Sequence, residues 1–372
     1  MSRLVSLLIF LLFGWSATAN LFAQSPAKPS APSPSPIASA TPQASSTPTT
    51  KSLVDSMDPT DLKEAIQLLK NNYIKPQALQ ETELSRATFE GILTRLGRGV
   101  ILLPNSGGDP AEPPAPFFGE ILEGHIGYLR FGALVAPNLG ALDTLLQTFG
   151  PKKVDAVVID LRASPATNDF ATASEFAKRF CPKGKPIFSL RKTTAKQERT
   201  FTSDRDPSYQ GLTIILVDGD TAGAAEAVAG AIHFYDKALV IGQPTAGRAV
   251  EYTDLKLPSG KVLRVAVAEA VLPEDRPLFP GGIRPDVPVE MPAADKREVF
   301  TQSRENGMTP FVVENERPHL NEAALISGRN PELEAMEAAQ RRGRGPEKTT
   351  VRDPVLQRAL DLVTSIAIFQ KR

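Results

Sequence analysis

Cysteine is almost absent. The 372-residue chain has one, Cys181, so it can form no intrachain disulfide and no cysteine-built zinc site. Histidine is scarce as well. His125, His233 and His319 stand far apart, without the spacing of metal ligands. No metal and no cofactor is expected. Neither sign of charge is in excess, with 42 basic and 42 acidic residues. That balance leaves no electrostatic footprint for nucleic acid or for an anionic membrane. Apolar runs approaching membrane-span length are lacking after the first two dozen residues, so no span is expected beyond them.

What is present starts with those first residues. Arg3 precedes an apolar run from Leu4 to about Trp15, and small residues follow. This is the pattern of a secretory signal peptide over residues 1–23. Ala17-Thr18-Ala19 offers a cleavage site and Ala23 a second; an uncleaved anchor is the alternative. No cysteine stands there to be lipidated. Either way the folded part is expected to be exported, to the periplasm or cell envelope of a bacterium. Residues 24–50 are mostly Pro, Ser, Ala and Thr. Such a segment buries too little to offset its ordering entropy and is expected to be a disordered linker.

An N-terminal helical segment is expected over 51–104. Leu62, Ile66, Leu69 and Tyr73 fall at helical spacing after Pro59 and Thr60. A second helix is expected over 83–96, with Leu84, Ala87, Ile92 and Leu96 inward. A Pro- and Gly-rich stretch at 104–116 reads as a loop. The core, 119–292, alternates strand-like runs (126–131, 154–161, 212–217, 238–241) with helical patterns (138–149, 168–180, 222–235). Asn168 is the expected cap of the second pattern, and Thr221 that of the third. Alternation of this kind argues α/β, with a mainly parallel sheet and helices packed on it. A hairpin turning at Pro258-Ser259-Gly260 follows. Residues 293–350 read as a weakly structured connector with one helix at 331–342. A last helix lies in 351–372, where Asp353 caps, Pro354 opens, and Leu356, Ala359, Leu360, Val363 and Ala367 form one stripe.

Several motifs then fall in a telling order. They are "AIQLLKNNYIKPQAL", "HIGYLRFGALVAPNLGALDTLLQTF", "DAVVIDLRASP", "GAAEAVAGAIHFYDKALVIGQPTAGRAV", "FPGGIRPDVPVE" and "DPVLQRALDLV". This order resembles the tail-specific, or C-terminal processing, serine peptidases, whose core is crotonase-like. The resemblance implies proteolysis by a serine-lysine dyad, but the chain departs from the family at each key place. Only residues 97–124 stand where the family usually carries a PDZ domain, too few for a domain of typical size. The family's Ser-Ala-Ser-Ala-Ser-Glu run aligns with Thr221-Ala222-Gly223-Ala224-Ala225-Glu226. The nucleophile position is then Gly223. The lysine expected twenty-five positions later is Arg248, and a common third residue, glutamine, is Tyr252. The Asn-Pro-Gly-Gly turn that helps form the oxyanion pocket reads Ser164-Pro165-Ala166-Thr167.

Glycine has no atom with which to attack a carbonyl, and arginine, with a pKa above about 12, cannot take up the proton. The expectation is a degenerate, PDZ-less member with no competent catalytic group. Arg248, Ala224, Ala166 and Thr167 would line a binding site for a peptide or protein, through a C-terminal carboxylate or an acidic side chain. Arg248 would face free N–H groups at the start of the helix, or else pair with Glu226 or Glu251. An active serine-type peptidase with an unusual nucleophile such as Thr221, or a partner subunit of an active homologue, stays open. His233, roughly 16 Å along the helix, is too far to activate Thr221. Export argues against a coenzyme A substrate.

Overall fold

The structure, a computed structural model, describes residues 49–104, 115–235, 238–312 and 351–370. The chain divides into two compact units between Leu79 and Gln80. The expected helix at 331–342 lies outside the described residues, as do 1–48.

In the first unit, α1 (Thr50–Asp55) begins inside the stretch assigned to the linker. Thr49 Oγ1 accepts the Ser52 N–H at 3.2 Å, which is the local reason a helix starts there. Then α2 (Pro59–Asn72) opens on a proline pre-set for the first turn. Asp58 Oδ1 caps it, accepting from Thr60 N at 2.7 Å and Asp61 N at 2.8 Å. The expected apolar stripe does not form a core, since no residue of α1 or α2 is buried.

The second unit begins with α3 (Glu81–Leu96), so the two expected N-terminal helices belong to different units. Leu84, Ala87, Ile92 and Leu96 are not buried either. The order continues as β1 (Val100–Leu103), β2 (Phe118–Leu122), β3 (Ile126–Arg130), α4 (Ala136–Phe149), β4 (Ala156–Asp160) and α5 (Phe170–Lys178). Next come β5 (Pro186–Lys192), β6 (Gln197–Thr202), β7 (Leu212–Val217), α6 (Ala224–Phe234) and β8 (Ala238–Gly242). After these run β9 (Val250–Lys256), β10 (Val262–Leu272), β11 (Arg276–Pro277), β12 (Val287–Pro288), α7 (Ala293–Asn306) and α8 (Pro354–Gln370).

The protein is mixed α/β, but a mainly parallel sheet describes only half of it. One sheet, β12-β8-β7-β4-β3-β2, is parallel apart from its last pair. The other holds β1-β10-β5-β6, with β9 and β11 also on β10, and every pairing is antiparallel. Of its strands, β9 and β10 are the hairpin expected at Pro258-Ser259-Gly260, whereas polar β6, which reads QERTFT, was not marked in the sequence. In the parallel sheet both faces are covered. Val157 and Ile159 join a core with α4, α5, α6 and part of the antiparallel sheet. Ala156 and Val158 point the other way, to α7 and α8. The presence of α7 corrects the reading of 293–306 as weakly structured. Its mean hydropathy is low, and its buried side chains are Lys296, Val299 and Ser303, so no apolar stripe announced it.

A buried ion cluster ties the last helix to the sheet. Arg162 Nη2 lies 2.7 Å from both Asp160 and Asp353, and all three side chains are almost wholly buried. Asp353 also caps α8, with Oδ1 accepting from Leu356 N at 3.0 Å. That cap and the apolar stripe are as the sequence indicated, with Leu356, Ala359, Leu360 and Val363 buried. For α5 the cap is Asp169 rather than Asn168, accepting from Thr172 N at 2.9 Å.

Candidate functional site

The site forms past the carboxyl ends of β4 and β7, where loops of a parallel sheet converge. After β4 the chain turns through Ser164 to Thr167. After β7 it turns through Asp218 to Gly223 and enters α6. Gly223 is the residue before that helix, with φ 65° and ψ −131°, a conformation that side-chain-bearing residues rarely adopt. The two turns touch as a parallel bridge between Thr167 and Gly223. The Ala224 N–H donates to the Thr167 carbonyl at 3.1 Å.

Glu226 organises the third turn. Its carboxylate is fully buried and accepts from the Gly223 N–H at 3.1 Å, Thr245 Oγ1 at 2.5 Å, the Gly247 N–H at 2.6 Å and the Arg248 N–H at 2.7 Å. Thr245 Oγ1 in turn accepts the Ile283 N–H at 2.8 Å. The glutamate therefore holds the backbone of Arg248 and not its guanidinium. Among the described residues the Arg248 side chain has no ion pair and no hydrogen bond, so neither Glu226 nor Glu251 neutralises it. Its charge is felt at Tyr252, where burial raises the phenol pKa and Arg248 opposes the rise. At Asp220, a hydrogen bond from Lys296 is the main cause of a lowered pKa, with Arg248 a lesser one.

A cavity of about 290 Å³ brings these parts together. Its lining includes Ala166, Thr167, Gly223, Arg248 and Tyr252 from the sequence reading. Ile101, Asn168 and Arg264 line it too; none was expected at the site, Asn168 having been read as a helix cap. Arg264 is already neutralised by Asp254, at 2.7 and 2.8 Å. Tyr252 donates to the Arg98 carbonyl at 2.7 Å. The period-2 hairpin pattern around Arg264 could have pointed to it; nothing marked Ile101, since β1 was not anticipated.

Two residues fall elsewhere. Ala224 is fully buried, and its N–H is spent on Thr167, so the expectation of free donors at the helix start is not met at Gly223 or Ala224. Thr221 is not the helix cap. It is fully buried, and its Oγ1 accepts from Asp218 N at 3.1 Å and donates to the Leu161 carbonyl at 3.3 Å. Short turns after a strand and a true helix start share the same residue types, which is why the sequence misplaced this cap.

Residues 125–289 match the family model of peptidase family S41. That match spans the core of this chain, which is similar there to the tail-specific or C-terminal processing peptidases. It is 23% identical over 237 residues to the carboxy-terminal processing protease CtpA of Bacillus subtilis, covering 64% of this chain and 47% of that protein. It is 29% identical over 169 residues to carboxyl-terminal-processing peptidase 1, chloroplastic, of Arabidopsis thaliana, covering 45% and 34%. The chain thus spans less than half the length of these curated relatives. Among solved structures, the photosystem II D1 C-terminal processing protease superposes with a TM-score of 0.41 at 20% identity, over 49% of each chain. Among the described residues, none of the helices is long and apolar enough to cross a membrane. No cluster of three or more His, Cys, Asp or Glu side chains could hold a metal there.

Proposed function

We propose that this chain is a non-catalytic S41 member and binds peptides or proteins, as a binding or scaffold module built on a crotonase-like core. The dyad reaction needs a hydroxyl that attacks and a neutral amine that takes its proton. Gly223 and Arg248 supply neither. The Thr167 carbonyl, bonded to Ala224 N–H, also occupies one donor that an oxyanion would need. Export, the signal at 1–23 and the linker at 24–50 belong to the same proposal, with the periplasm or envelope of a bacterium as its setting.

One observation carries the binding part. The half-buried Arg248 lines the cavity beside Gly223 without an acid among the described residues. A guanidinium so placed favours a carboxylate, which it can grip through two parallel hydrogen bonds. The ligand is the C-terminal carboxylate of a chain or an acidic side chain. Titration of short peptides with free or amidated C-termini tests this. Free peptides are expected to bind about tenfold or more tightly than amidated ones, an advantage lost in Arg248→Ala. Equal, salt-insensitive binding by both proteins would remove the proposal.

A further inference from the structure

A second cavity, of about 450 Å³, is lined in part by Ala163, just before the turn that lines the first. Ala115, Pro116, Phe117, Phe118, Gly132, Ala163 and Phe300 make its apolar wall, and Arg130 and Arg304 are its charges. Arg130 ends β3 and is only 5% exposed. Its guanidinium carbon sits 4.7 Å from the ring centre of Phe118 and 4.7 Å from that of Phe300. The guanidinium therefore packs against two rings. Nη1 donates to Ser303 Oγ at 3.0 Å, and no other protein acceptor is present among the described residues. Glu120 stands near enough to feel the Arg130 charge, but its Oε1 is committed to the Met308 N–H at 2.5 Å and no ion pair forms.

A buried guanidinium without an anion is costly, and this one belongs to a cavity lining. We propose that the cavity binds a carboxylate carried on a compact apolar body. With Nη1 committed to Ser303, Nε and Nη2 are left for an acceptor, and that pair suits a two-pronged carboxylate contact. The phenylalanines and proline supply the apolar surface for the rest of the molecule. Exposed Arg304 adds positive charge at the rim, which speeds encounter more than it tightens binding. The wall is preformed. The Ala115 carbonyl accepts from Ala133 N at 2.8 Å and from Asn138 Nδ2 at 2.9 Å. Gly132, at φ +62°, permits that approach, since a Cβ there would overlap the carbonyl oxygens of Ala115 and Pro116. The volume falls within the usual range for small-molecule sites, about 300 to 1,000 Å³.

The test is calorimetric titration of the full chain with 3-phenylpropionate and with its uncharged amide. The acid is expected to bind saturably, and the amide about 10- to 100-fold more weakly. Arg130→Gln should weaken the acid by the same factor, and Arg304→Gln should chiefly slow association. If Arg130→Gln fails to fold, Ala163→Leu, which fills the cavity from its wall, should abolish binding. A second arm uses a short peptide ending in phenylalanine, free or amidated. Binding of the free peptide identifies chain ends as the source of the carboxylate, and binding of the small acid alone identifies a free metabolite. Equal affinity for acid and amide, no saturable binding of either acid, or undiminished binding by Ala163→Leu would overturn the proposal. So would loss of binding in Arg248→Ala with retention in Arg130→Gln.

Discussion

Glu226 accepts the backbone N–H of Arg248 at 2.7 Å while the guanidinium of that arginine has no acid partner among the described residues. A negative charge is thus buried beside a positive one without cancelling it. The carboxylate is satisfied by four donors from two turns, and the cation is left to the cavity. The geometry of the site rests on that division.

Glu226→Gln is therefore expected to loosen the site from beneath. An amide offers one acceptor where the carboxylate offers two, and its NH2 would face backbone N–H groups. Hydrogen bonds to a charged group contribute about 1.5–3 kcal/mol each. A loss near 3 kcal/mol in urea unfolding is the expected outcome, with weaker peptide binding. An unchanged unfolding midpoint would contradict the role given to Glu226.

Placing a serine at 223 is expected to cost stability. A Cβ at Gly223 would lie 2.8 Å from the Thr167 carbonyl oxygen, in a backbone conformation with φ +65°. Strain of this kind costs about 1–3 kcal/mol. Gly223→Ser and Gly223→Ala should therefore show equal drops in melting temperature. A serine variant as stable as wild type would show that the turn yields.

The buried cluster predicts an acid limit. Burial alone would raise the Asp160 pKa, but the Arg162 charge and hydrogen bonds from Arg162 and Tyr128 outweigh it and hold the carboxyl below its ordinary range. The unfolded value is about 3.9. This stabilisation is complete above that pH and is lost as pH falls through the lower folded value. Urea midpoints should fall below about pH 4, less steeply in Asp160→Asn. Asp353→Asn removes one arm of the same cluster and should cost about 3–5 kcal/mol, releasing α8 first, as hydrogen exchange would show.

The parallel sheet and its helices were legible because they are buried on both sides and read as plain apolar runs; β7 is bounded as expected, at Leu212–Val217. The antiparallel strands were less so, and α7 hid behind a polar sequence that buries Lys296 against Asp218 at 2.5 Å. At the site, the spacing from Gly223 to Arg248 carried through to one cavity. What the sequence could not disclose was hydrogen-bond allocation. Whether Glu226 takes the side chain or the backbone of Arg248 is decided by the path of the 245–248 turn. Thr221 likewise looked like a cap until β4 placed the Leu161 carbonyl over its hydroxyl.

Fluorophosphonate labelling should be blank. Thr221, the hydroxyl nearest the nucleophile position in sequence, is fully buried and already hydrogen-bonded. Labelling mapped to Thr221 by peptide mass would show that the turn opens.

The most direct measurement incubates the purified chain with an unfolded polypeptide bearing a free C-terminus and follows both binding and mass. The polypeptide is expected to be retained and recovered intact, with retention lost in Arg248→Ala. Cleavage products that accumulate with the wild-type protein, and track its concentration through purification, would contradict it.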